Sequence, residues 1–427
     1  MISADCVVAG CRQLLTCGGP VPKRKEALRD LGVVENGWIA SERGRIVFIG
    51  TERECRANVR ATGDATWIDA SGMVGCPGFV DSHTHLPFAG DREREFGLRL
   101  QGWTYQDLAA KGMGIQTTVK ATRAATRDEL RALCLRRLDE MLLTGTTTVE
   151  AKSGYGLNVD DEIKQLEVLR DLGPLHPVDV VPTFMGAHEI PPEFRDRRDE
   201  YIDLLIRTLI PEVRRRGLAE FFDVFCEPGI FSLDETAALI RAAKDAGFKV
   251  KVHADEFVTL GGAELAARLG AVSAEHLIVV SDEGIRKLAA AGTAAILLPG
   301  VSFFLMMDKR APARRLIDAG AVVALATDFN PGSSHLLSML FVLQLGVYTL
   351  RMGVEEAFNA CTANAAYAID RHDDVGTLEP GKKLDLLLLD MADYISLVYQ
   401  LGRNPVRHVL KNGKVVVKDG RKVDAAR

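Results

Sequence analysis

The chain has 427 residues, 47% of them hydrophobic and 26% charged, with a formal net charge of −5. That is the balance of an ordinary globular protein, long enough for one large domain and a smaller satellite. The mildly acidic total argues against a nucleic-acid polyanion as the main partner, and no apolar run approaches the roughly 18 residues that a membrane helix needs. The eight cysteines are scattered without C-x-x-C spacing, and the first residues hold neither a basic stretch nor an apolar one. The expectation is therefore a cytoplasmic protein with reduced thiols.

In chain order, residues 1–75 read as short strands and turns, for example Gly37–Ala40 and Arg45–Gly50, judged by alternation and glycine punctuation. Within them residues 20–34 read as a surface excursion. Apolar strands then alternate with helical stretches, the pattern of a parallel sheet. Strands are predicted near 76–82, 146–151, 179–184, 221–226, 249–253, 273–279, 294–298 and 321–327. Helices are predicted over Arg127–Leu143, Asp160–Leu172, Arg198–Arg216, Leu233–Ala246 and Ser281–Ala291. Eight such units predict a closed (β/α)8 TIM-type barrel over 76–375, with its chemistry at the C-terminal strand ends. The tail, 376–427, returns to short strands, and Asn412-Gly413 between apolar runs marks a hairpin. Neither end is long enough for a core alone, so the two are expected to join in a small β-sandwich domain.

The residues that bear chemistry fall at those strand ends. His83 and His85 stand at i and i+2 after the first strand, so both imidazoles leave one face of it. His253 follows the fifth strand, His276 the sixth and Asp328 the eighth. His83, His85, His253 and Asp328 make a nitrogen and carboxylate set suited to one divalent metal, Zn2+ or Fe2+/Fe3+, with a position left for water. Such an ion lowers the pKa of bound water, which predicts hydrolysis. The His83 and His85 pair alone would be structural about as often as ligating, and His253 or Asp328 alone would more often be structural.

These residues resemble the amidohydrolase superfamily of metal-dependent hydrolases. Further motifs, Phe88-Ala89-Gly90-Asp91-Arg92, Glu150 to Leu157, Gly186-Ala187-His188, His253-Ala254-Asp255-Glu256 and Asp328 to Ser334, are similar to the branch that opens the ring of 4-imidazolone-5-propanoate in histidine degradation, yielding N-formimidoyl-L-glutamate. The resemblance implies that Arg92 and Tyr155 bind the substrate's propionate, that Tyr105 and His188 line its pocket, and that Glu256 hydrogen-bonds the ring. It also implies that Asn330, Gly332 and Ser333 contact the product end. Asp328, Glu256 and His276 are the candidate catalytic groups, without a choice of decisive base. A guanidinium suits a carboxylate better than an ammonium does; without the resemblance, Arg92 would be paired with Asp91, Glu93 or Glu95.

Binuclear members of the superfamily use a carboxylated lysine at the end of strand four. Here that strand ends Cys226-Glu227, which implies one metal per subunit and leaves Lys152 to order its loop. Met113 and His335 depart from the branch's pattern and are expected to narrow a loop and to add a polar group near the product end. The rival reading within enzymes is a deaminase, or a cyclic amide hydrolase, acting on another small heterocycle. A barrel that has lost its chemistry is the rival from another class, and the full ligand set speaks against it. Apolar outer helices permit a homodimer.

Overall fold

The computed structural model of the protein describes residues 1–103, 107, 111 and 113–423. Eight parallel strands run in sequential order: Phe79–Asp81, Thr146–Lys152, Asp179–Ala187, Phe221–Cys226, Lys249–Ala254, Ser273–His276, Ala294–Leu297 and Val322–Leu325. The first and eighth approach each other at their C-terminal ends. There Asp328 N–H donates to the carbonyl of His83 (3.0 Å) and His85 N–H to that of Phe329 (2.9 Å). The seam of the barrel is thus stitched by the segments that bear three of the predicted ligands.

The predicted first strand, 76–82, is divided between two sheets. Val74–Pro77 pairs antiparallel with Leu386–Leu389 of the terminal sheet, and only Phe79–Asp81 enters the barrel. Gly78 lies at the break, where strand two passes so close that a Cβ would stand 2.2 Å from Thr147 Oγ1. The predicted sixth strand, 273–279, stops at His276 because His276 and Leu277 both take left-handed backbone, φ 71° and 56°. Positive φ in residues that bear a Cβ is costly and clusters at functional sites; here it turns the chain away directly after a site histidine.

The predicted helices form, begun by local chemistry. Thr126 with Glu129 and Ser232 with Glu235 make capping boxes ahead of Arg127–Leu143 and Leu233–Asp245. The stretch 198–216 is helical but wound in three pieces, with a π turn at Leu205–Leu209 between Arg198–Leu204 and Ile210–Arg215. Pro211 falls just beyond that turn, and without an N–H it cannot continue the i to i−4 ladder.

The chain ends build one nine-stranded mixed sheet that unites Ile2–Leu15, Val33–Glu42, Arg45–Gly50, Val59–Asp69 and Val74–Pro77 with Leu386–Leu389, Val406–Lys411, Lys414–Lys418 and Arg421–Lys422. A bulge between Val8 and Cys11 bends the first strand, so that Val8, Leu14 and Ile39 share a core with Leu386, Leu388 and Leu410 from the other end of the sequence. Residues 20–34 are not a loose excursion. Lys23 is buried, its ammonium donating to the carbonyls of Gly18 (2.8 Å) and Asp30 (3.0 Å), while Asn359 and Asn364 of the barrel donate to the carbonyls of Leu28 and Lys23.

Candidate metal centre

Strand alternation and the stitched seam bring the predicted ligands together. The ligating atoms of His83, His85 and His253 lie within 4.8 Å of one another, as do those of His83, His276 and Asp328, and all five residues are buried. Asp328 Oδ1 lies 3.1 Å from His83 Nε2 and 3.4 Å from His85 Nε2. His83 Nε2, His253 Nε2 and Asp328 Oδ1 have no hydrogen-bond partner. A buried polar atom without a partner is expensive, and a metal ion is the group that would satisfy a nitrogen and carboxylate set of this kind at once. His253 is fixed from behind, its Nδ1 3.1 Å from Asp223 Oδ1, which leaves Nε2 for the cluster.

The cluster forms the floor of a cavity of about 740 Å³. One wall is basic. Arg92 Nε donates to Glu95 Oε2 (2.7 Å), and Glu95 is held in turn by Gly114 N–H and the Thr117 hydroxyl. Arg99 donates to the Gly332 carbonyl (3.2 Å) with its guanidinium 5.6 Å from the rings of Phe96 and of Phe304. Tyr155 and His188, whose rings lie 5.3 Å apart, also border the cavity. His188 Nδ1 sits 2.9 Å from the Gly154 carbonyl, so it donates there and turns Nε2 away. That approach requires glycine: φ at Gly154 is 115°, and a Cβ would stand 3.0 Å from His188 Nδ1. Burial, with His85 adding, lowers the His188 pKa to about 3, so the ring is neutral.

Glu256 borders the floor with Oε1 3.5 Å from His276 Nδ1. Its backbone N–H, with those of Phe257 and Val258, donates to Glu227. Burial and the charges of Asp328 and Glu227 push the Glu256 carboxyl well above the usual range, which favours its protonated form.

A model of the amidohydrolase family matches residues 74–416. The chain belongs to the amidohydrolase family. It is 51% identical over 417 residues to an imidazolonepropionase of Geobacillus kaustophilus, covering 97% of this chain and 98% of the relative. It is 50% identical over 422 residues to an imidazolonepropionase of Symbiobacterium thermophilum, covering 99% of each. Among solved structures it is similar to a zinc-bound adenosine deaminase from Xanthomonas campestris (TM-score 0.72, 19% identity, covering 100% of this chain and 95% of that one). It is also similar to a triazine hydrolase variant (TM-score 0.73, 20% identity, covering 99% and 96%). At that identity the structural likeness bears on the fold alone. Membership makes this chain a metal-dependent hydrolase, in agreement with its ligand cluster.

Of the residues singled out in the sequence, Arg92, Tyr155, His188, Glu256, His276, Asn330, Gly332 and Ser333 all border the amidohydrolase cavity, beside His85, His253 and Asp328; His83 lies beneath them. Tyr105 lies outside the described residues. Asn330 is committed to its own turn: its amide donates to the Asp328 carbonyl and carboxylate and its Oδ1 accepts from Gly332 and Ser333 N–H. Two expectations are corrected. Lys152 does not serve its loop; its side chain is wholly buried within the barrel, 2.7 Å from Asp223. His335 is exposed, its ring packed 5.1 Å from that of Phe329, and does not border the cavity. The reading of the sequence missed Arg99, Glu227, Asp223 and Glu275. Arg99 had a signal, since it follows Arg92 by seven residues and so shares its helix face.

Proposed function

We propose that this chain is an imidazolonepropionase, adding water across the ring amide of 4-imidazolone-5-propanoate to give N-formimidoyl-L-glutamate. The observation that supports it best is the pairing, in one cavity, of a metal-ligand cluster on the floor with Arg92 on the wall: the reacting carbonyl would meet the first and the propionate the second. The roughly 50% identity to imidazolonepropionases over nearly the whole chain agrees with this.

His83, His85, His253 and Asp328 would hold one metal ion, Zn2+ or iron, which when bound supplies Lewis acidity and makes water easier to deprotonate. The Lys152 ammonium already fills the acidic cluster of Glu150, Asp223 and Glu275, which fits a single ion. Asp328 takes the proton of the attacking water and returns it to the ring nitrogen as the C–N bond breaks. His276, neutral because burial holds its pKa at about 3, donates a hydrogen bond to the developing oxyanion. Protonated Glu256 donates to the other ring nitrogen, and Arg92 with Tyr155 orients the carboxylate.

The test is the ultraviolet absorbance of substrate generated in place from urocanate by urocanase, with and without the protein. Faster decay that chelation abolishes and that releases no ammonia is expected. Ammonia release would favour a deaminase, and unaltered decay with a metal-replete protein would refute the assignment.

A further inference from the structure

Beneath the ligands, the barrel interior holds Glu150, Lys152, Asp223, Lys251 and Glu275, each with no exposed surface. The Lys152 ammonium lies 2.8 Å from Glu150 Oε1, 2.7 Å from Asp223 Oδ2 and 3.2 Å from Glu275 Oε2. That of Lys251 lies 2.9 Å from Glu275 Oε1 and donates to the Ser82 carbonyl at 2.9 Å. Glu150 is anchored by Thr84 N–H and by the Thr183 hydroxyl. Asp223 and Glu275 then reach upward: Asp223 Oδ1 is hydrogen-bonded with His253 Nδ1 at 3.1 Å, and Glu275 Oε2 lies 2.7 Å from His83 Nδ1, a close electrostatic contact outside hydrogen-bond geometry.

We infer that Lys152 and Lys251 are positioning residues of the metal centre, fixing Asp223 and Glu275 so that these hold the Nδ1 edges of His253 and His83 and turn both Nε2 edges toward the ion. A carboxylate beside Nδ1 keeps the proton on that nitrogen and sets the ring's orientation. Burying five ionisable groups is costly, and a well-packed apolar interior would give more stability; the layer earns its place by orientation.

The inference rests on the metal-centre reading, and uptake of Zn2+ or Fe2+ by the unaltered protein separates the two: absence of uptake of either ion would overturn that reading and this inference with it. The test is Lys152→Met, with the Zn2+ dissociation constant measured by competition with a chromophoric chelator and the visible spectrum of the Co2+-loaded protein as a second readout. Charge alone would make this variant bind Zn2+ more tightly, since a neighbouring cation is deleted. Loss of positioning works in the other direction: Zn2+ binding is expected to weaken about 10- to 100-fold, with altered Co2+ bands. A folded Lys152→Met protein with unchanged or tighter Zn2+ binding and the original Co2+ spectrum would overturn the inference. Should that variant not fold, Asp223→Asn replaces it. Its amide can donate to His253 Nδ1, which moves the ring proton onto Nε2, and the same weakening and spectral change are expected. Unchanged values in folded Asp223→Asn would count equally against the inference.

Discussion

The guanidinium of Arg92 lies where Gly332 has no side chain: a Cβ on Gly332 would stand 2.1 Å from Arg92 Nη1. Arg92 is tethered on its other edge by Glu95, itself tied to Gly114 and Thr117, so it has little freedom to swing aside. Gly332→Ala is therefore expected to displace the guanidinium and weaken carboxylate binding. A hydrogen bond to a charged group is worth about 1.5–3 kcal/mol, so KM should rise roughly 10- to 100-fold with kcat little changed. Steady-state kinetics decide this, and an unchanged KM would show that Arg92 does not bind the carboxylate.

Arg99 is the second guanidinium on that wall, and no ion pair joins it to a carboxylate among the described residues; its ring neighbours are Phe96 and Phe304. A guanidinium at a cavity wall strengthens the local field for an anion. Arg99→Gln is expected to raise KM for the carboxylate-bearing substrate by about tenfold, and added salt should narrow the gap between variant and parent. Equal KM values at low salt would assign Arg99 to holding the Gly332 loop alone.

The barrel and its ligands were legible because each depends on local pattern. Apolar runs of strand length, separated by capped helices such as Arg127–Leu143, fix the alternation, and side-chain period fixes His83 with His85. The inner charge layer was harder to read. Glu150, Lys152, Asp223 and Lys251 stand at alternate positions inside apolar strands, where a charge signals either a solvated face or a buried network. Only the closure of the barrel decides between these, by bringing strands two, four, five and six around one axis. Gly78 posed a similar difficulty: nothing local in Gly75-Cys76-Pro77-Gly78-Phe79 tells that the run divides between two sheets, since the division is imposed by Leu386–Leu389 from the far end of the chain.

Asp328 is expected both to hold the ion and to move a proton, and Asn330 steadies it through its carboxylate and its carbonyl. Asp328→Asn should lower kcat by roughly 100-fold or more and weaken metal retention, whereas Asn330→Ala, which frees the carboxylate without deleting it, should lower kcat less. Chelation of the parent should abolish turnover, and either Zn2+ or Fe2+ should restore it. Turnover that persists after complete metal removal would refute the metal's part in the reaction.

Glu356 joins the segment around residues 20–34 to the barrel. Its buried carboxylate accepts from the Arg314 guanidinium at 3.0–3.1 Å, from Gly353 N–H at 2.8 Å and from Arg29 at 2.9 Å. Burial alone would raise its pKa, but Arg314, Gly353 N–H and Arg29 outweigh burial and hold it below the usual carboxylate range. A folded pKa below the unfolded one means that the ionised group stabilises the fold above about pH 4.3, and that this contribution fades as the pH falls through the folded pKa. Glu356→Gln should therefore cost about 1–3 kcal/mol at pH 7, the lower part of that range being favoured because Arg29 and Arg314 are partly solvated. Urea unfolding of parent and variant should show the gap closing as the pH falls below about 4.3. A gap independent of pH would mean that shape and the neutral hydrogen bonds, not the charge of Glu356, hold this segment to the barrel.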